Sequence, residues 1–196
     1  EKKKYMNGLI NLLCSLNINN ADVLEYTKRL KNIQIKKGEH FQMQGCPVRY
    51  MGYVDSGKFR YYKIDKDGNE RTLWFNKSFP FIGDYHSFLK RTNAELCIQA
   101  MEDYEITLFS YEQMMELFDT NIDTQKLRAT IAERSMFGWR NIALALYFDT
   151  AEERYIELLK DFPDIEKEIS LKHIASTLGI SPETLSRIRK KLDKNP

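Results

Sequence analysis

The sequence predicts an α+β fold in three consecutive textures: a small β barrel or jelly roll, a long helix, and a C-terminal helix-turn-helix. Three observations carry this reading. Between Ile33 and Phe109, short runs rich in Tyr, Phe, Val and Ile are interrupted by Gly38, Gly45, Gly52, Gly57, Gly68 and Gly83, the pattern of an all-β barrel. From Asp123 to Phe148 there is no proline and one glycine. From Ser170 to Leu192, two short amphipathic segments flank Gly179-Ile180-Ser181-Pro182.

Taken in order, Leu9, Leu12, Leu13 and Leu16 repeat by threes and fours, so the stretch from Leu9 to Leu30 reads as helical. In the barrel, Phe59-Arg60-Tyr61-Tyr62-Lys63-Ile64 and Arg71-Thr72-Leu73-Trp74-Phe75 read as two arms of a hairpin. Asp67-Gly68 between them supplies the positive φ of a tight turn. The chain turns helical again from Tyr111. In the long helix, Leu127, Ile131, Ser135, Gly138, Ile142 and Ala145 are spaced 4, 4, 3, 4 and 3, close to a heptad seam. Such a helix extends about 39 Å at 1.5 Å per residue, more than a small barrel covers, so a partner helix is expected. Helices over Ala151–Asp161, Ser170–Leu178 and Pro182–Leu192 follow. The expected division is 1–120 for the barrel with its N-terminal helices, 121–149 for the dimerising helix and 150–196 for the helix-turn-helix.

Composition removes several classes. In 196 residues, 42% are hydrophobic and 30% charged, as in soluble globular proteins. The longest wholly apolar run, Ile142 to Phe148, is seven residues, against the ~20 a membrane span needs. Glu1 to Met6 lacks the apolar core of a signal peptide, so a cytoplasmic protein without a membrane partner is expected. Cys14, Cys46 and Cys97 show no CxxC spacing, which gives no reason to expect a disulfide framework or a zinc site. The net charge is only +2. However, Ser170 to Pro196 holds six Lys/Arg (Lys172, Arg187, Arg189, Lys190, Lys191, Lys194) against Glu183 and Asp193. That basic end points to an anionic partner.

The C-terminal motif says which anion. Leu171, Ile174 and Leu178 give the first helix one apolar face, and Leu185, Ile188 and Leu192 give one to the second. Gly179 can end the first helix in the left-handed conformation. Ser181 can cap the second, with Pro182 in its first turn. The exposed face of the second helix is then polar: Glu183, Thr184, Ser186, Arg187, Arg189 and Lys190. A helix of this kind can enter a DNA major groove N-terminal end first. Arg187 can donate two parallel bonds to guanine, and Glu183 can accept from cytosine, each worth about 1–3 kcal/mol of discrimination. Glu183 and Arg187 are also i, i+4 neighbours that can brace each other. Ser170, Lys172, Ser181 and Lys190 are placed to meet phosphates.

With these residues in hand, the chain resembles the Crp/Fnr family of bacterial transcription regulators. The resemblance covers nearly the whole sequence. It rests on Val54-Asp55-Ser56-Gly57-Lys58-Phe59-Arg60, Asp67-Gly68-Asn69-Glu70, Phe79-Pro80-Phe81-Ile82-Gly83-Asp84, and most specifically Ile180-Ser181-Pro182-Glu183-Thr184-Leu185-Ser186-Arg187. Glu153-Arg154-Tyr155 and Asp161-Phe162-Pro163 are most similar to the branch found in Bacteroides-type bacteria. The resemblance implies a cyclic-nucleotide-binding-type jelly roll, a dimerising helix and a winged helix-turn-helix on a two-fold palindrome. It also implies RNA polymerase as a partner. Readout in the family maps onto Pro182, Glu183 and Arg187. The first of these positions is usually basic, so a different half-site is expected. The segment after Leu192 is short for a wing.

The resemblance places an effector pocket around Phe81, Ile82, Gly83, Asp84, Tyr85, Ala94 and Glu95, with Trp139 and Arg140 arriving from the long helix. Cyclic-AMP binders carry Gly-Glu and then, about ten residues later, Arg-Ser or Arg-Thr. Here Gly83-Asp84 stands at the first pair and Ala94-Glu95 at the second. The phosphate's arginine is missing, and a carboxylate next to a phosphate is strongly unfavourable, so cyclic AMP is not expected to bind. Arg91-Thr92 could replace the pair only through a three-residue loop shift. Three cysteines are too few for a four-cysteine iron–sulfur cluster. His86, alone in an aromatic loop, reads as a packed residue rather than a haem ligand. The expectation is therefore no metal and no cofactor, with a small-molecule effector left open. Two other readings compete. A cupin-like metal-binding enzyme needs converging histidines, and only His40, His86 and His173 exist. A dimeric interaction module that ignores DNA needs neither metal nor a charged recognition face.

Overall fold

The computed structural model describes residues 2–76 and 79–193, with side chains from residue 7 onward. Two helices open the chain, α1 (Lys2–Ser15) and α2 (Asn20–Lys28). Five strands follow: β1 (Lys31–Ile35), β2 (His40–Gln42), β3 (Tyr50–Tyr53), β4 (Phe59–Ile64) and β5 (Glu70–Asn76). Then come β6 (Phe81–Ile82), α3 (Tyr85–Lys90), β7 (Cys97–Ala100) and β8 (Tyr104–Ser110). The rest is helical: α4 (Tyr111–Phe118), α5 (Ile122–Phe148), α6 (Ala151–Asp161), α7 (Ile165–Glu168), α8 (Leu171–Thr177) and α9 (Pro182–Leu192).

The strands form two four-stranded sheets, ordered β1-β8-β3-β6 and β2-β7-β4-β5. β8 is central to the first, pairing antiparallel with β1 (Ile33 opposite Ile106) and with β3 (Gly52 opposite Leu108). Phe59, Ile98, Ile106 and Phe109 are fully buried. The predicted hairpin is β4–β5. Its turn is closed by Asp65, whose carboxylate accepts from the Asp67 and Asn69 N–H groups, with Gly68 at φ +81°.

The helical stretch expected from Leu9 to Leu30 is divided between two helices. Asn17 takes a left-handed φ of +56°, and the Asn19 side chain caps α2 by accepting from the Asp22 N–H. Leu9 and Leu13 of α1 are fully buried in one cluster with Met114, Leu117 and Phe118. Each such side chain contributes about 1.5–3 kcal/mol, so burial against the body holds this short helix more than its own propensity does.

The chain divides into two compact units. The first joins residues 1–61 and 75–135; the second joins 62–74 and 136–196. The break falls inside α5. In the first unit Ile131 is buried, and Leu127 packs against the same core cluster. The first two positions of the expected seam are thus covered by the chain's own body. What the helix leaves open is the stripe Met136, Phe137, Arg140, Leu144, Tyr147 and Phe148; Met136, Tyr147 and Phe148 are 57%, 85% and 80% exposed. Within the second unit, β5 meets the helices α8 and α5. The Thr72 N–H donates to Ser176 Oγ at 2.8 Å, and the Trp74 and Trp139 rings meet edge-on at 4.8 Å.

Candidate nucleic-acid interface and effector site

In the second unit, α8 and α9 form the predicted helix-turn-helix. Gly179 ends α8 at φ +70°, and the Ile180 N–H returns to the Ala175 carbonyl at 3.0 Å. Ser181 caps α9, its hydroxyl accepting from the Thr184 N–H at 3.2 Å, with Pro182 in the first turn. Ile174, Ala175, Leu178 and Leu185 are buried between the helices. Arg154, on α6, secures the junction by donating to the carbonyls of Leu178 and Asp149.

The capping and packing fix which side chains face out. Ser170, Lys172, Ser181, Pro182, Glu183, Arg187 and Lys190 are exposed, and Thr184 is half-buried. Glu183, Arg187 and Lys190 follow one another by four and three, so they share one face of α9. Among the described residues, Lys172, Arg187 and Lys190 make no ion pair. Arg187 donates to Thr184 Oγ1 at 3.2 Å. The Ser181 hydroxyl, the backbone N–H of Glu183 itself and the Arg187 charge hold the Glu183 carboxyl below its usual range. The side-chain hydroxyl of Ser170 makes no cap bond.

Arg189 and Lys191 differ. Arg189 forms a two-pronged bridge to Glu166, with Nε to Oε1 at 2.7 Å and Nη2 to Oε2 at 2.8 Å. Glu166 also accepts from the Tyr155 hydroxyl. Lys191 pairs with Glu152 at 2.6 Å. Arg189, one of the residues expected at the DNA face, is thus committed to the inside of its own unit. Sequence alone missed Glu166 because it lies in the four-residue helix α7, which carries no periodic signal. Lys194 and any wing after Leu192 lie outside the described residues.

In the first unit the effector residues gather around Asp84. Its carboxylate caps α3: Oδ1 accepts from the Ser87 N–H at 3.2 Å, and Oδ2 from the Ser87 hydroxyl at 2.9 Å. Oδ2 also accepts from the Glu95 N–H at 2.9 Å. The two dipeptides expected to hold a nucleotide are therefore tied to each other. Asp84, not Glu95, is the buried carboxylate; the Glu95 side chain is exposed while its N–H points inward. Gln42 accepts from the Asp84 N–H at 3.4 Å, and its amide nitrogen has no hydrogen-bond partner among the described residues. Gly83, at φ +149°, lies so close to Met51 that an added Cβ would fall 2.4 Å from the sulfur. The hydroxyl of Tyr61 accepts from the Gly83 N–H at 3.4 Å, and burial pushes its pKa well up. Phe81, Tyr85 and Ala94 belong to the hydrophobic core cluster, and Ile82 is fully buried. Trp139 is engaged with Trp74, and Arg140 lies on the exposed stripe of α5.

Among the described residues, no group of three or more His, Cys, Asp or Glu side chains is placed to hold a metal ion. His40, His86 and His173 sit on β2, α3 and α8. No described helix is long and apolar enough to cross a membrane.

A two-sheet β roll, a 27-residue helix and a helix-turn-helix with an exposed basic face make up the architecture of the chain. Residues 32–121 match the cyclic nucleotide-binding domain family. The CRP-like protein Clp of Xanthomonas campestris pv. campestris is 22% identical over 167 residues, covering 76% of this chain and 71% of Clp. The structure of the c-di-GMP-responsive global regulator CLP of Xanthomonas campestris superposes with a TM-score of 0.69 at 20% identity, over 90% of this chain and 93% of that one. A transcriptional regulator of the Crp/Fnr family from Eubacterium rectale gives 0.72 at 17% identity, over 90% and 84%. In fold and over most of its length, this chain is similar to regulators of the Crp/Fnr type.

Proposed function

We propose that this chain is a Crp/Fnr-type transcription regulator that binds DNA as a homodimer on a two-fold palindrome and does not respond to cyclic AMP. The observation that carries the DNA reading is the single face of α9 on which Glu183 and Arg187 stand exposed, with Lys190 beside them and, among the described residues, unpaired. Arg187 reads guanine and Glu183 reads cytosine in the major groove, while Ser170, Lys172, Ser181 and Lys190 meet phosphates. The open stripe on α5, from Met136 to Phe148, is an apolar surface of the kind that a second copy covers. Dimerisation there would present two α9 helices to half-sites roughly 34 Å apart, one turn of DNA.

The cyclic-AMP part rests on Asp84. A phosphate entering this site would displace an internal carboxylate from two backbone N–H groups and a hydroxyl. No arginine stands at the Ala94-Glu95 pair to compensate. The unpartnered amide of Gln42, buried beside Asp84, leaves a donor for a different small effector. The reading includes no catalytic role, no haem and no iron–sulfur cluster. It places the protein in the cytoplasm with RNA polymerase as its partner. The Bacteroides-type branch rests on Glu153-Arg154-Tyr155 and Asp161-Phe162-Pro163.

Selection from a random DNA pool, followed by anisotropy titrations at several salt concentrations, tests the reading. The expected result is an enriched palindrome whose affinity falls steeply with salt. Arg187→Ala should cost about 1–3 kcal/mol on that site and relax preference at one base pair per half-site. A pool with no enriched sequence, or affinity indifferent to salt, would overturn it.

A further inference from the structure

On the outside of the β roll, within the first unit, lies a cleft of about 320 Å³. Val48 and Phe88 supply its buried apolar surface, Tyr50 and Tyr111 its aromatic walls, and Arg49 and Arg91 its charge. Its frame is well tied. The Val48 N–H donates to the Thr92 carbonyl at 3.3 Å, Tyr50 pairs with Ser110 across β3 and β8, and the Phe88 and Tyr111 rings meet at 5.7 Å. Arg91 ends α3 in the left-handed region at φ +55°, its N–H bonded to the carbonyls of Phe88 and Ser87. In that conformation its guanidinium lies 4.9 Å from the centre of the Tyr111 ring and 3.2 Å from a Glu112 carboxylate oxygen. Arg91 is thus turned to this outer cleft and not to the Asp84 cluster.

The charges do not balance. Glu112 answers Arg91, but Arg49 is exposed and, among the described residues, makes no hydrogen bond, ion pair or ring contact. One unspent guanidinium remains in a concavity with two phenol rings and an apolar surface. Guanidinium groups take carboxylates through paired N–H donors, and flat rings stack on aromatic walls. Clefts of this size with a few placed polar groups among apolar and aromatic side chains are where small ligands bind. We propose that this cleft binds a small aromatic monocarboxylate, its carboxylate on Arg49 with help from Arg91 and its ring against Tyr50 and Tyr111. A single charge is specified because Glu112 already neutralises one of the two cations and would repel a dianion.

The test is isothermal titration of the full chain with benzoate, with its neutral isostere benzamide, and with inorganic phosphate. Benzoate should bind saturably at one per chain. Benzamide and phosphate should each bind at least about tenfold more weakly. Arg49→Gln should lower benzoate affinity by a similar factor. Because Arg49 is exposed and makes no bond among the described residues, that variant should keep the wild-type melting temperature. Failure of benzoate to saturate by about 10 mM, or an affinity that benzamide and Arg49→Gln leave unchanged, would overturn the proposal. Neither result depends on DNA binding.

Discussion

The barrel and the helix-turn-helix both carry groups suited to an anion, and they treat them in opposite ways. Around Asp84 the chain supplies its own anion: two backbone N–H groups and a hydroxyl converge on one buried carboxylate. On α8 and α9 it withholds one, leaving Lys172, Arg187 and Lys190 without an ion pair among the described residues. Environment accounts for the difference. A buried donor left unsatisfied costs about 1–3 kcal/mol, so the barrel must fill its site from within. An exposed cation is solvated by water at little cost, and pairing it would gain at most about 1 kcal/mol. Unpaired exposed charge is therefore cheap to keep available for a partner, whereas an unpaired buried site is not.

The largest effect should come from breaking the barrel side of this contrast. Asp84→Ala strips the partner from the Ser87 and Glu95 N–H groups and from the Ser87 hydroxyl. Unfolding free energy should drop by about 3 kcal/mol, read as a lower urea midpoint. Asp84→Asn keeps one carbonyl acceptor and should lose less. An Asp84→Ala protein as stable as wild type would mean that water satisfies these donors as well as the carboxylate does. The phosphate site would then be open and the barrel argument would fail.

The contrast was only half legible in the sequence. The helix-turn-helix could be read because its signals are local: the spacing of Leu171, Ile174 and Leu178, the turn at Gly179, the cap at Ser181 and Pro182. The β4–β5 hairpin was legible for the same reason, with Asp-Gly at its tip. Asp84 was noticed as a departure from a pattern, but its bond to the Glu95 N–H joins residues eleven apart through the fold. No periodicity reports such a bond. The long-helix seam was legible only in part. Leu127 and Ile131 do lie on one apolar stripe, but spacing cannot say whether a second chain or the chain's own body covers it. The break between α1 and α2 depends on one left-handed asparagine, Asn17, inside an otherwise helical texture.

A middle-sized effect should separate structural from recognition arginines on the same helix. Arg189 and Glu166 form a bridge only about one-third exposed, with side-chain exposures of 35% and 29%. Tyr155 joins them, its pKa pushed up by burial and then by the Glu166 carboxylate. Arg189→Met should therefore cost about 1 kcal/mol of stability, discounted for solvent screening. The folded variant should keep the base preferences of wild type, measured on the selected site and on single-base variants of it. Arg187→Ala should do the reverse, leaving the melting temperature unchanged and relaxing sequence preference. If Arg189→Met relaxes base preference as Arg187→Ala does, then the Glu166 bridge opens on DNA and Arg189 rejoins the reading face.

The smallest effect is the most specific to the withheld charges. Lys172 and Lys190 are exposed and form no ion pair among the described residues, so removing either should not change stability measurably. For each phosphate that a variant no longer neutralises, the slope of log affinity against log salt should fall by about 1. The weakening should be uniform across sequences and below about 1 kcal/mol near physiological salt. Lys191→Ala is the internal control. That lysine is already paired with Glu152 at 2.6 Å, so its charge is compensated within the chain and its removal should leave the salt slope where it was. Equal slopes for wild type, Lys190→Ala and Lys191→Ala would mean that pairing within the chain does not decide which cations meet DNA. A drop confined to Lys172→Ala and Lys190→Ala would mean that it does, because counterions are released only when DNA meets charges the protein has left unspent.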